Sequence, residues 1–239
     1  FFDTATTVTI TLSLHDALPI YVRRINIMKK YTLDEVYTAD MTAFQRERYN
    51  RVADEFEKLF GEKPTAFFSA PGRTEVGGNH TAHNFGCVLA AGVSLDVIAA
   101  VAPDTEENVI TIKSEGFPMD TVNVDDDTIY EEQKNTSAAL IRGMSAGFKK
   151  NGHNAGGFKA YATSNVLKGS GLSSSAAYEV LIGTILNGLY NEGDVSAVEI
   201  AQIAQFAENV YFGKPSGLMD QMASSVGRSE EHTSELQSR

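Results

Sequence analysis

From Met41 to Phe60 the apolar residues Phe44, Tyr49, Val52, Phe56, Leu59 and Phe60 recur at three- and four-residue steps, and Gly61 follows. That spacing predicts an amphipathic helix stopped by a glycine. Ala66 to Ser69 and Cys87 to Val101 are apolar and rich in small or β-branched residues, with Asp96 the only charge in the second run. They predict buried strands. Val109 to Lys113 alternates as a strand does, Thr121 to Val124 is its expected partner, and the acidic turn Asp125 to Asp127 reads as a solvated loop. Thr136 to Lys150 predicts a helix capped by Thr136, then come a glycine-rich turn at Gly152 to Gly157 and a strand from Phe158 to Thr163. Ser174 to Leu189 and Ser196 to Phe212 carry apolar faces at helical spacing, and Gly217 to Val226 opens another helix. Strands and helices alternate without an internal repeat or a linker, which predicts an α/β or α+β class.

The two ends read differently from the rest. TLSLHDALPI at Thr11 to Ile20 and RSEEHTSELQS at Arg228 to Ser238 match translations of sequencing-adapter DNA. Residues 1–20 and 228–239 are therefore expected to be foreign to the fold, although the alternation in TATTVTITLSL is also what a genuine strand would show. The expected lobe is 28–227, a truncated reading frame starting at Met28.

The 239 residues, 42% of them hydrophobic and 21% charged, are enough for a sizeable core without disulfides or metal. Twenty basic against 31 acidic residues give a formal charge of -11. Arg23, Arg24, Lys29 and Lys30 form no aromatic-interleaved basic patch, so neither nucleic acid nor an anionic membrane surface is an expected partner. No apolar run reaches the roughly 18 residues of a membrane helix. A single cysteine, Cys87, fits a reducing cytoplasm and reads as a small core residue.

Three glycine-bearing segments carry candidate chemistry. GSGLSSSAA, Gly169 to Ala177, sheds side chains just before an apolar-faced helix. Glycines let backbone N–H groups approach a phosphate, and a helix N-terminus adds unpaired donors and partial positive charge. Neither a Walker loop nor GxGxxG is present, so those mechanics do not apply. APGRTEVGGNHTAHNFG, Ala70 to Gly86, brings Arg73, Asn79, His80, His83 and Asn84 onto one irregular loop suited to a polyhydroxylated ligand. His80 and His83 have no Cys or carboxylate at helical spacing beside them, and no zinc site is expected. AENVYFGKPSGLMDQMASSVG, Ala207 to Gly227, sets Glu208 on one helix and Asp220 early on the next, a carboxylate pair able to divide metal binding from orienting an attacking hydroxyl.

Together these segments resemble the GHMP kinase superfamily and, within it, the galactokinase family. GRTEVGGNHTAHNFG is similar to the family's sugar signature, GSGLSSSAA to the superfamily's ATP loop, and SGLMDQMASSVG to the segment bearing the catalytic aspartate. The resemblance runs from about Met41 to Gly227, roughly the first half of such a kinase. It implies an α+β lobe, a mixed sheet covered by helices and truncated before the C-terminal lobe. It also implies ATP-dependent phosphorylation of galactose at its anomeric hydroxyl, with galactose and ATP as small-molecule partners. By position, Asp220 and Arg73 are then catalytic, and Gly169, Ser170, Gly171, Leu172, Ser173, Ser174 and Ser175 wrap the nucleotide phosphates. Asn79, His80, Gly217 and Asp220 contact the sugar, and Ser175 and Glu208 hold Mg²⁺.

The chain departs from the family pattern where Asn79 replaces a common Glu, Ala82 a common Asp, and Leu167 a proline before the loop. Ala82 cannot bond a sugar hydroxyl, so weakened galactose binding is expected. The alternatives are a related sugar kinase of altered specificity and a non-catalytic sensor of galactose and ATP; retention of Asp220 and Arg73 argues against the sensor. Alone, residues 28–227 are expected to show no turnover, because the family completes its site with a second lobe.

Overall fold

The computed structural model describes residues 8–10, 20–24, 27–77, 87–167, 169–227 and 234–237. Five strands form the centre of the sheet: β4 (Ala66–Gly77), β5 (Cys87–Asp104), β6 (Val109–Ser114), β7 (Met119–Asn123) and β8 (Gly157–Ser164). They lie in the order β4-β5-β8-β6-β7. All neighbours are antiparallel except β6 and β8, which run parallel, so the sheet is mixed. Three N-terminal strands, β1 (Val8–Ile10), β2 (Ile20–Arg24) and β3 (Ile27–Tyr31), extend the sheet antiparallel beyond β4, and β9 (Ser234–Gln237) pairs with the start of β5.

Helices cover both faces. α1 (Leu33–Val36) and α2 (Ala39–Phe60) lie on one; α3 (Ser137–Lys150), α4 (Ser174–Tyr190) and α5 (Ala197–Phe206) pack on the other, and α6 (Met219–Val226) follows. β5 shows why its sequence is apolar without a break. Val97, Ala99 and Val101 enter the larger core under α3–α5, while Ile98, Ala100 and Ala102 enter the smaller one under α2. A strand buried on both faces has no polar side to display.

α2 begins two residues before the predicted start and ends at Gly61, which adopts the left-handed φ of 72° that a glycine tolerates. Its buried seam is Gln45, Arg48, Tyr49, Val52 and Phe56; Phe44 and Leu59 face solvent, at 52% and 40% exposure. Thr136 caps α3 as expected, accepting the Ala139 N–H at 3.3 Å. The predicted helix Ser196 to Phe212 is a correction: α5 ends at Phe206 and the chain continues as a π-turn over Ala207–Phe212 before Gly213 at φ 83°. α3 packs closely at that point, since a Cβ on Gly143 would lie 2.7 Å from Ala207 Cβ. Widened helical turns of this kind recur at functional sites.

Candidate active site

β4 is longer than the sequence suggested. It runs on through Gly77, with register breaks between Pro71 and Arg73 and between Glu75 and Gly77, so Arg73 sits on a bulged strand and not in the loop. A bulge re-aims the side chains beside it. Gly72 makes room: a Cβ there would meet Val166 at 3.0 Å and the Leu172 carbonyl at 3.1 Å. β4 thereby lies directly against the glycine loop.

Arg73 uses three groups to join that loop to α6. Its backbone N–H donates to Leu172 O at 3.1 Å, its Nη1 to Gly171 O at 2.5 Å, and its Nε to Asp220 Oδ1 at 2.8 Å. Ser173 Oγ donates to the other oxygen, Oδ2, of the same carboxylate. Burial works to raise the Asp220 pKa, but the hydrogen bonds from Arg73 and Ser173 and the charges of Arg73 and Lys214 outweigh it and hold it below the usual carboxylate value. Asp220 is thus anionic at neutral pH and fixed by both oxygens.

The loop itself is built for backbone exposure. Gly169 and Gly171 take φ of 80° and 79°, and Ser173, a non-glycine residue at φ 55°, enters α4 in the left-handed region. Such a conformation costs of order 1–3 kcal/mol and persists where surrounding contacts impose it; here the bond to Asp220 is one. Because the Ser173 hydroxyl is turned to Asp220, no side chain caps α4. The N–H groups of its first turn, Ser174 to Ala176, have no helical partners. They remain directed at whatever anion enters the loop. Ser170 instead braces the loop, donating to Leu167 O at 2.6 Å.

A second cluster lies one turn into α4. Glu208, on the π-turn and 1% exposed, receives Ser175 Oγ at 3.3 Å and Lys214 Nζ at 2.8 Å on Oε1, and Gln221 Nε2 at 2.7 Å on Oε2. The same Gln221 nitrogen donates to Glu179 Oε2 at 3.1 Å. Burial first, then the charge of Glu208, push the Glu179 carboxyl well above its ordinary range against the opposing bond from Gln221. Glu179 Oε1 and Gln221 Oε1 have no partner among the described residues, an arrangement that a proton on Glu179 would serve. Ser175 and Glu208 offer the hard oxygen donors that suit Mg²⁺, an ion that takes one or two carboxylates and completes its shell with water and phosphate. The described residues hold no group of three or more His, Cys, Asp or Glu that could hold a metal ion.

The structure therefore brings Arg73, Asp220, Gly171, Leu172 and Ser173 together, with Ser174 and Ser175 opening the helix behind them and Glu208 bonded to Ser175. Gly217 lies half-buried in the turn three residues before Asp220, a turn pinned by Gln205 Nε2 and Asn209 Oδ1 on Ser216. Asn79, His80 and Ala82 lie outside the described residues. Sequence reasoning missed Glu179, Gln221 and Lys214. Glu179 had a usable signal: it is the only charged residue in the 17 of α4.

This fold and site define the N-terminal lobe of a GHMP kinase, and residues 138–228 match the GHMP kinases N terminal domain. Residues 54–103 match the galactokinase galactose-binding signature. Galactokinase of Lacticaseibacillus casei strain BL23 is 35% identical over 180 residues, 74% of this chain and 46% of that protein. Galactokinase of Clostridium beijerinckii is 33% identical over 183 residues, 76% of this chain and 47% of that protein. The crystal structure of Lactococcus lactis galactokinase complexed with galactose superposes with a TM-score of 0.68 at 28% identity, covering 75% of this chain and 46% of that one. Methanococcus jannaschii mevalonate kinase shares the fold at a TM-score of 0.55 and 18% identity, over 66% of this chain and 50% of that one. The chain belongs to the galactokinase family and spans just under half the length of the curated relatives it matches.

Proposed function

We propose that this lobe, residues 28–227, is part of an enzyme that transfers the γ-phosphoryl group of ATP to the anomeric hydroxyl of galactose, giving galactose 1-phosphate and ADP. Residues 1–20 and 228–239 are proposed to be foreign to it, on the translation match. The observation that carries the reading is the Asp220 carboxylate, held ionised between Arg73 and Ser173 at the mouth of the loop that opens α4. An anionic oxygen there can accept or orient the proton of an attacking sugar hydroxyl, while the first-turn N–H groups of α4 receive phosphate oxygens. Mg²⁺ bound by Ser175 and Glu208 would neutralise charge on the transferred group. Arg73 does two things: it keeps Asp220 ionised and fixes the loop carbonyls of Gly171 and Leu172 relative to β4.

The test is galactose-dependent ADP formation by a protein that begins at Met28 and reads through Gly227 into the downstream half of its gene. A panel of sugars should give galactose as the preferred acceptor, whereas preference for another sugar, or ATP binding without turnover, would overturn the reading. A second reading, altered sugar specificity, rests on Asn79 and Ala82. Ala82→Asp should lower the galactose KM by roughly ten- to a hundred-fold, the worth of one buried hydroxyl bond. An unchanged KM would show that position 82 does not meet the sugar.

A further inference from the structure

Lys214 bonds to neither Arg73 nor Asp220, yet among the described residues it makes the shortest polar contact that reaches Glu208 Oε1. It follows Gly213, whose left-handed φ of 83° ends the π-turn, and its own N–H donates to Glu208 O at 3.1 Å. From there the side chain folds back, and Nζ rests 2.8 Å from Glu208 Oε1. The two partners differ sharply in environment: the Glu208 side chain is 1% exposed and that of Lys214 is 53% exposed.

A buried carboxylate needs a cation or several donors to remain ionised. Ser175 and Gln221 supply neutral donors from helices that cannot withdraw. Lys214 supplies the only full positive charge bonded to Glu208 among the described residues, and it does so from a flexible stem whose head can return to water at little cost.

We infer that Lys214 is an exchangeable counter-ion for Glu208, so that its ammonium and a divalent cation are mutually exclusive on Oε1. Two cations on one oxygen would stand about 4 Å apart or less and repel, a divalent ion and an ammonium more strongly than two unit charges. The lysine thus stabilises the buried acid when no metal is bound, and it sets a threshold that a metal must exceed. The inference deepens the kinase reading, on which the identity of the cation rests. The oxygen, the ammonium and their contact do not depend on it.

The experiment is Mn²⁺ binding, followed by electron paramagnetic resonance, to the 239-residue chain, to Lys214→Met and to Lys214→Arg, without nucleotide. Lys214→Met should bind Mn²⁺ about tenfold more tightly than the parent, and Lys214→Arg should bind like the parent. In thermal melts Lys214→Met should be less stable than the parent in EDTA and should recover with added Mg²⁺, while the parent barely responds. Adding Glu208→Gln to Lys214→Met should abolish the gain in Mn²⁺ affinity. Equal Mn²⁺ affinities in parent and Lys214→Met, or no binding by either, would overturn the inference. Tighter Mn²⁺ binding by Lys214→Met together with no galactose-dependent ADP formation by the full-length protein would sink the kinase reading and leave the counter-ion role standing.

Discussion

Asp220→Asn in the full-length protein is expected to fold normally and to lose phosphoryl transfer by about 10²- to 10⁴-fold, the usual worth of a positioned proton acceptor. Asparagine keeps the shape and one acceptor oxygen, so the Arg73 Nε and Ser173 bonds are only partly lost. Ground-state sugar affinity should therefore change less than kcat, and a loss of affinity with kcat unchanged would show that Asp220 serves binding alone. Arg73→Met should act through the same carboxylate. With Arg73 gone, burial is opposed only by Ser173 and the more distant Lys214, and the Asp220 pKa must rise. The acid limb of the kcat/KM profile would then move to higher pH.

Stability follows with a definite sign. The folded Asp220 titrates below its ordinary 3.8, so its pairing stabilises the fold fully above that value and the contribution is lost as pH falls through the lowered folded pKa. Arg73→Met should shrink this acid-side loss, measurable as urea midpoints between about pH 2 and pH 6. Because the two residues touch, the double variant should lose less than the sum of the two single losses. Strict additivity would mean that Arg73 acts on the glycine loop and not through Asp220.

Much of this site is legible in the amino-acid sequence, for physical reasons that can be named. Arg73, the Gly169 to Ser175 loop and Asp220 lie in segments where glycine and serine interrupt apolar patterns, and such interruptions mark places where the backbone does the binding. The β5 run is legible because both of its faces are buried. The π-turn is not: Ala207 to Phe212 keeps helical apolar spacing, and its close packing against Gly143 of α3 is a tertiary contact that no local pattern encodes. Gln221 and Lys214 escape for a related cause. Each is an ordinary polar residue until the turn at Gly213 and the start of α6 bring it to Glu208. The α2 pattern is legible as a helix but misleading in its facing, since Phe44 is exposed while Gln45 and Arg48 are buried. Polar residues on the inner face carry no hydrophobic signal, and only their partner explains them.

Gln45 accepts from Arg48 Nη1 at 3.2 Å, Arg48 in turn pairs with Asp96, and removing that cation should produce the largest loss of stability in the chain. Asp96 and Arg48 are each 4% exposed. Arg48 donates Nη1 to the Asp96 carboxylate, and Nη2 to Asp96 O at 2.9 Å and Thr163 O at 3.1 Å; Tyr37 and Ser69 donate to Oδ2 at 2.5 and 2.7 Å. Arg48→Met would keep most of the buried volume but leave the carboxylate with hydroxyl donors alone. Breaking a buried pair in this way costs about 3–5 kcal/mol, which for a chain of this size lowers Tm by roughly 6–20 °C. Arg48→Met combined with Asp96→Leu should recover much of the loss, because an apolar pair has no charge to strand. The effect should reach the active site as well. Asp96 stands opposite Pro71 in the β4–β5 register, at the edge of the bulge that turns Arg73 toward Asp220, and Ser69 ties β4 to the same carboxylate. In the full-length enzyme Arg48→Met should therefore lower kcat even at temperatures where the protein is fully folded. A Tm within about 3 °C of the parent would show that the hydroxyls of Tyr37 and Ser69 suffice to hold Asp96, and that the arginine is dispensable to the fold.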